Sequence, residues 1–181
     1  AMTVTVLIAG KLSDLYGRKW VLTSAIVIFI VGSILCGLSA TMNQLIIFRG
    51  LQGIGAGAIM GLVFTTIGDL FAPAERGKYI GFLSGVFGLS SVIGPTLGGF
   101  ITDNFSWNWV FFINVPLGIL IIMLFVFFFP HIRPDYKKPV IDYAGITTLV
   151  LWVAPLMLAL SLAGVDYEWS SPIIIGMLAL A

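Results

Sequence analysis

GKLSDLYGRK, residues 10–19, interrupts an otherwise apolar chain. Nine mostly apolar residues precede it, and about twenty more follow from Trp20. One acid, two glycines and three cations within ten residues make a polar break between two hydrophobic runs. Such a break, followed by a run long enough to cross a bilayer and preceded by what reads as the tail of another, points to a chain that passes through the membrane more than once.

Composition agrees. Of 181 residues, 59% are hydrophobic and only 9% are charged, against about 25% charged in soluble domains. The mean hydropathy is +1.10. So little polar surface cannot coat a water-soluble globule, and an all-α integral membrane protein is expected, with the lipid bilayer as its first partner. The net charge of +1 gives no basic surplus for nucleic acid. Cys36 is the sole cysteine and His131 the sole histidine, so neither an internal disulfide nor a Cys/His metal site is expected. No cofactor is implied. The abrupt apolar ends and the lack of a basic leader suggest a piece of a longer protein.

Apolar runs predict five complete spans, Trp20–Ala40, Gln44–Gly68, Tyr79–Ile101, Trp109–Phe129 and Tyr143–Ala163, with partial ones at Ala1–Ala9 and Pro172–Ala181. They are too long and too uniformly apolar for the alternating strands of a barrel, so they read as helices. The connections alternate in charge. Lys11, Arg18, Lys19, Arg76, Lys78, Arg133, Lys137 and Lys138, eight of the nine cations, fall on one side. The intervening links 41–43, 102–108 and 164–171 carry no cation. The positive-inside rule places the basic side in the cytoplasm. The two basic links 10–19 and 69–78 also carry acids, which makes them candidates to pair.

Within the spans, Gly53, Gly57 and Gly61 recur four apart, as do Gly77, Gly81 and Gly85, then Gly94 and Gly98. Such faces let helices approach closely in lipid; they serve packing, sliding or both. Pro95 inside SSVIGPTLGGF lacks an N–H and predicts a bend or loosening of its helix. Arg49 is the one ionisable residue well inside a span, where a charge is costly and commonly functional. It stands roughly 9 Å from the end of its run at 1.5 Å per residue, so it is either an anchor that snorkels to the interface or a working cation. Gln52, three residues on, is placed to bond a substrate or a neighbouring helix.

Four segments together resemble the major facilitator superfamily, and within it the fourteen-helix drug:proton antiporters. Gly10-x-x-x-Asp14-x-x-Gly17-Arg18-Lys19 is similar to the loop motif between the family's second and third helices. Leu45-x-x-x-Arg49-x-x-Gln52-Gly53 resembles the motif of its fourth helix. Ser90-x-x-x-Gly94-Pro95-x-x-Gly98-Gly99 resembles the antiporter motif of its fifth, with serine in place of the usual first glycine. The segment from Trp107 through Asn108, Trp109, Asn114 and Pro116 to Gly118 looks like the start of its sixth helix. Leu15 and Asn108 stand where the family usually has basic residues.

The resemblance implies a partial N-terminal bundle over residues 1–129, a cytoplasmic linker at 130–142, and an extra central helix with the start of the next over 143–181. It implies a plasma-membrane, proton-coupled exporter of apolar or cationic small molecules, working by alternating access, and not an enzyme. Protons and a small-molecule substrate are the implied partners, and accessory export proteins are admitted. By this resemblance Gly10, Asp14, Gly17, Arg18, Lys19, Asp69 and Arg76 form a cytoplasmic latch, with Arg18 paired to Asp69. Arg49, Gln52 and Gly53 serve proton coupling, and Ser90, Gly94, Pro95, Gly98 and Gly99 shape the antiporter helix. The alternative for the loop is a solvated link whose charges only set topology. The rival functions are a sugar or metabolite importer of the same superfamily, an ATP-driven transporter subunit, an intramembrane enzyme, and a non-transporting sensor or scaffold. No Gly-x-x-x-x-Gly-Lys-Ser/Thr stretch occurs, and the spans hold no carboxylate pair.

Overall fold

The structure, a computed structural model, describes residues 2–129 and 143–180. The linker expected at 130–142, with His131, Arg133, Lys137 and Lys138, lies outside the described residues. The chain divides into two compact units, Ala1–Pro139 and Val140–Ala181.

The first unit holds α1 (Met2–Tyr16), α2 (Arg18–Gly37), α3 (Met42–Leu70), α4 (Pro73–Asn104), α5 (Trp109–Phe112) and α6 (Asn114–Phe128). The second holds α7 (Tyr143–Leu162) and α8 (Pro172–Leu180). Among the described residues five segments are long and apolar enough to cross a membrane: α2, α3, α4, Trp109–Phe128 and Ala144–Leu162. Helices α1, α3 and α4 outrun their apolar runs because polar residues continue a helix once it leaves lipid. The polar break at 10–19 is therefore not a ten-residue loop. Helix α1 runs on to Tyr16, and Gly17 alone separates it from α2. Gly17 sits at φ 89° and ψ 143°, a conformation open to glycine and strained for any side chain. Gly10, at the start of the polar stretch, is inside α1 and not at a turn.

Local chemistry sets the other ends. Thr41 caps α3, accepting from the Gln44 N–H at 3.3 Å, while the Gln44 side chain accepts from the Ala40 N–H at 3.0 Å. This is close to the reciprocal capping box. Pro73 opens α4 where its missing N–H costs nothing. Helix α4 continues unbroken through Pro95. The span Trp109–Phe128 is interrupted at Ile113. Pro116, without an N–H, cannot bond the Phe112 carbonyl one turn back, and the helix restarts at Asn114.

The core of the first unit is where α1, α2 and α3 meet: Ala9, Leu22, Ala25, Ile26, Ile30, Ala58 and Leu62. Small residues bring the backbones together. A Cβ on Gly32 would stand 2.7 Å from the Gln52 backbone, and one on Gly55 would stand 2.8 Å from the Ala25 carbonyl oxygen. Helix α4 has no buried residue. The second unit closes on Ala159, Ala163 and Ile174, with Gly164 making the turn at φ 79°.

Candidate functional site

At the basic end, Arg18 gathers three partners. It is 5% exposed, and each guanidinium nitrogen takes a different neighbour. Nε donates to Asp69 Oδ2 at 2.7 Å, Nη1 donates to Ser13 Oγ, and Nη2 lies 2.9 Å from Asp14 Oδ1. That last approach is an ion pair and not a hydrogen bond, since Asp14 Oδ1 has no aligned donor among the described residues. Ser13 passes its own proton to the Gly10 carbonyl at 2.6 Å. The two polar breaks of the sequence thus meet through Arg18 and Asp69, which joins α1, α2 and the end of α3.

Lys19 and Arg76 do something different. Lys19 Nζ donates to the carbonyls of Val126 at 2.8 Å and Phe129 at 3.0 Å, so it caps the C-terminus of α6. Arg76 donates to the carbonyls of Phe71 at 3.1 Å and Gly68 at 2.6 Å, so it caps α3. A cation on the last carbonyls of a helix satisfies orphan acceptors and meets the negative end of the dipole. Asp69, an acid at a helix C-terminus, is unfavourable there by the same dipole, and Arg18 offsets it. At the other end of α2, Asn108 donates to the Gly37 carbonyl. Asn108, at the position where the resemblance expects arginine, is a cap for α2.

Deeper in the same unit lies a polar node. Arg49 Nη1 donates to Gln52 Oε1 at 3.1 Å, and its guanidinium carbon lies 5.6 Å from the centre of the Phe111 ring. Gln52 Nε2 donates to Ser33 Oγ on α2 at 3.1 Å. Asn114 Nδ2 donates to the same Ser33 Oγ at 3.0 Å, and Ser33 donates to the Phe111 carbonyl at 2.9 Å. The bond expected from Gln52 to a neighbouring helix is made, to Ser33 on α2. Arg49 is exposed on a cavity of about 490 Å³ lined also by Phe29, Gln52, Gly53, Phe111 and Asn114. A second cavity of about 490 Å³ lies between α4 and the Trp109–Phe128 span. It is lined by Ser90, Gly94, Gly98, Val110, Asn114 and Leu117. The two cavities share Val110 and Asn114. Pro95 and Gly99 belong to the same turns of α4 but line neither. Ser13 and Ser33 were not singled out by sequence. A lone serine in an apolar run carries no local signal, and the partners of Ser33 lie 19, 78 and 81 residues away.

Length, apolarity and the run of helices define a polytopic α-helical membrane protein. The family model for the Major Facilitator Superfamily matches residues 1–181, and the chain belongs to that superfamily. It is 51% identical over 170 residues to multidrug resistance protein 3 of Bacillus subtilis (strain 168), covering 94% of this chain and 33% of that protein. It is 47% identical over 179 residues to the multidrug transporter protein MdtP of the same organism, covering 99% of this chain and 33% of that one. It is 37% identical over 183 residues to the MFS-type transporter gkaD of Penicillium citrinum, covering 95% of this chain and 31% of that one. The chain thus spans about a third of the length of these relatives.

Proposed function

We propose that this chain is part of a proton-coupled secondary transporter of the plasma membrane. It exports drugs or other small apolar or cationic compounds by alternating access, with its basic ends facing the cytoplasm. The observation that carries the reading is Arg49. A cation inside an apolar span is costly unless it works or is paired. Here it opens on a cavity, and no Asp or Glu occurs between Gly17 and Gly68 or between Tyr79 and Ile101. Its charge is therefore free to act on a carboxylate elsewhere in the full-length protein. A nearby cation lowers a carboxylate pKa, which sets when that group takes up and releases its proton. The names of the two bacterial relatives support drugs as the substrate class, and the eight cations on one side support the orientation.

The Arg18 cluster serves this cycle as a latch. It ties α1, α2 and α3 at one end of the bundle, and Asp14 Oδ1, with no aligned donor among the described residues, is the group it offers to the rest of the full-length protein as the bundles rock. Gly94, Pro95, Gly98 and Gly99 shape α4 along the second cavity. Accessory export proteins are compatible with this reading.

The test uses inverted membrane vesicles holding the full-length protein. An imposed proton gradient, acid inside, is expected to drive uptake of cationic dyes, and an uncoupler to abolish it. Dye uptake that ignores the uncoupler, or a sugar or metabolite moved in the inward direction instead, contradicts the reading.

A further inference from the structure

We propose that Ser33 and Asn114 are positioning residues for Arg49, acting through the side-chain amide of Gln52. The inference rests on the coupling role given to Arg49 above, but its geometric half stands without it.

A hydroxyl has one proton and two lone pairs. The Ser33 proton is committed to the Phe111 carbonyl, 2.9 Å away. That carbonyl belongs to the last turn before the break at Ile113, where carbonyls lose their next-turn donors. Toward every other neighbour Ser33 Oγ acts only as an acceptor. It accepts from Asn114 Nδ2 and from Gln52 Nε2, and both lone pairs are then filled. The NH₂ group of Gln52 must therefore face Ser33, and its carbonyl oxygen must face the other way. There Oε1 accepts from Arg49 Nη1 at 3.1 Å and from Cys36 Sγ at 3.8 Å. The reverse amide orientation would set an NH₂ donor against the guanidinium and leave a carbonyl oxygen against the filled lone pairs of Ser33.

Burial makes the arrangement stiff. Ser33 is 0% exposed and Gln52 is 5% exposed, so the bond between them is shielded from water. The backbones are pressed together at this level, since a Cβ on Gly32 would collide with the Gln52 backbone. A satisfied network in such a place fixes one geometry, and a half-satisfied one is costly. The break at Ile113 places Asn114 and the Phe111 carbonyl together at Ser33. Helices α2, α3, α5 and α6 thus set the direction of one guanidinium. Cys36 on α2 is the one titratable group among the described residues that touches the node besides Arg49; Phe111 on α5 and Asn114 on α6 are uncharged.

Two readouts on the full-length protein test this. The first is the infrared S–H band of Cys36, isolated by subtracting the spectrum of Cys36→Ala. Because Cys36 donates to the same Gln52 oxygen as Arg49, its band reports the amide orientation. Ser33→Ala should move the band toward that of a free thiol. Asn114→Ala, which leaves the Gln52–Ser33 bond but loosens its anchor, should move it the same way by less, and Ser33→Thr, which keeps the hydroxyl, should restore it. Asn114 is less buried than Ser33 and gives a result where a buried substitution fails to fold. The second readout is the pH profile of substrate-driven proton exchange. Loss of the Arg49 cation raises the partner carboxylate's pKa, so Arg49→Ala should move the half-maximal pH upward. Ser33→Ala should move it the same way by less.

An unmoved band in both alanine variants overturns the inference, whatever transport does. A moved band with an unmoved profile, where Arg49→Ala does shift, overturns the link to Arg49. If Arg49→Ala leaves the profile in place, it is the coupling reading that falls, and the band alone decides whether Ser33 and Asn114 orient Gln52.

Discussion

Helices α3 and α4 carry glycines at the same four-residue spacing, and the structure uses them in opposite ways. On α3, Gly55, Gly57 and Gly61 are filled sites, while Gly50 and Gly68 at its ends are open. A Cβ on Gly57 would strike the Met2 carbonyl, one on Gly61 would come within 2.6 Å of the Val6 carbonyl oxygen, and one on Gly55 would meet the backbone of Phe29. Helix α1 grips α3 on one side and α2 on another. On α4 a Cβ at Gly77, Gly81, Gly85, Gly94, Gly98 or Gly99 meets nothing within 4 Å among the described residues, and no α4 residue is buried. Spacing alone predicts a smooth face. It does not predict whether that face is occupied, because occupation depends on a partner whose sequence gives no matching signal.

The largest effect that sharpens this contrast is steric. Gly57→Leu puts a branched side chain where a backbone carbonyl already lies, and overpacking of this kind costs about 1–3 kcal/mol or more. The full-length variant should lose its monodisperse peak in detergent, or melt well below wild type. Gly85→Leu, the same change on α4, should leave the melting temperature within a few degrees. Equal losses at both positions would erase the distinction between a packed and an open helix.

The next effect concerns charge. Arg18→Ala removes the one cation shared by Asp14 and Asp69. Breaking a buried pair costs about 3–5 kcal/mol, and partial exposure of both carboxylates lowers that to about 2 kcal/mol. A clear drop in thermal stability is expected, with Asp69→Asn losing less because Asp14 still holds Arg18. A variant as stable as wild type would mean that the cluster does not bind the helix ends together. The smallest effect is Lys19→Met, which leaves the carbonyls of Val126 and Phe129 without their donor. A helix-end cation contributes about 0.3–1 kcal/mol, so a small but measurable drop in melting temperature is expected. Lys19→Arg should recover most of it.

Much of this was legible in the chain itself. The spans were visible because lipid demands about twenty apolar residues in a row, and no other pattern of that length competes. Opposite charges on two links of the same side made those links candidates to pair, and the family resemblance named Arg18 and Asp69 as the pair. Arg49 was visible because a charge in an apolar run has few innocent explanations. What was not legible depends on distance through space. The caps made by Lys19 and Arg76 bond backbone carbonyls, which every residue has, so nothing in the sequence marks them. Ser33 looked like any small residue of a membrane helix until its three bonds appeared. The polar stretch at residues 10–19 looked like a loop because polarity was the only cue. Hydrogen bonding along the backbone carries the helix through it, and the turn falls on Gly17 alone.

The central claim is that Arg49 acts in proton coupling from within this packed unit. The most direct measurement sets up a proton gradient, acid inside, in inverted vesicles holding the full-length protein. Internal pH is then followed on addition of a cationic dye, in wild type and in Arg49→Ala at matched protein levels. The account predicts substrate-dependent loss of the gradient in wild type and a much smaller loss in the variant at the same pH. Equal loss in both would contradict it.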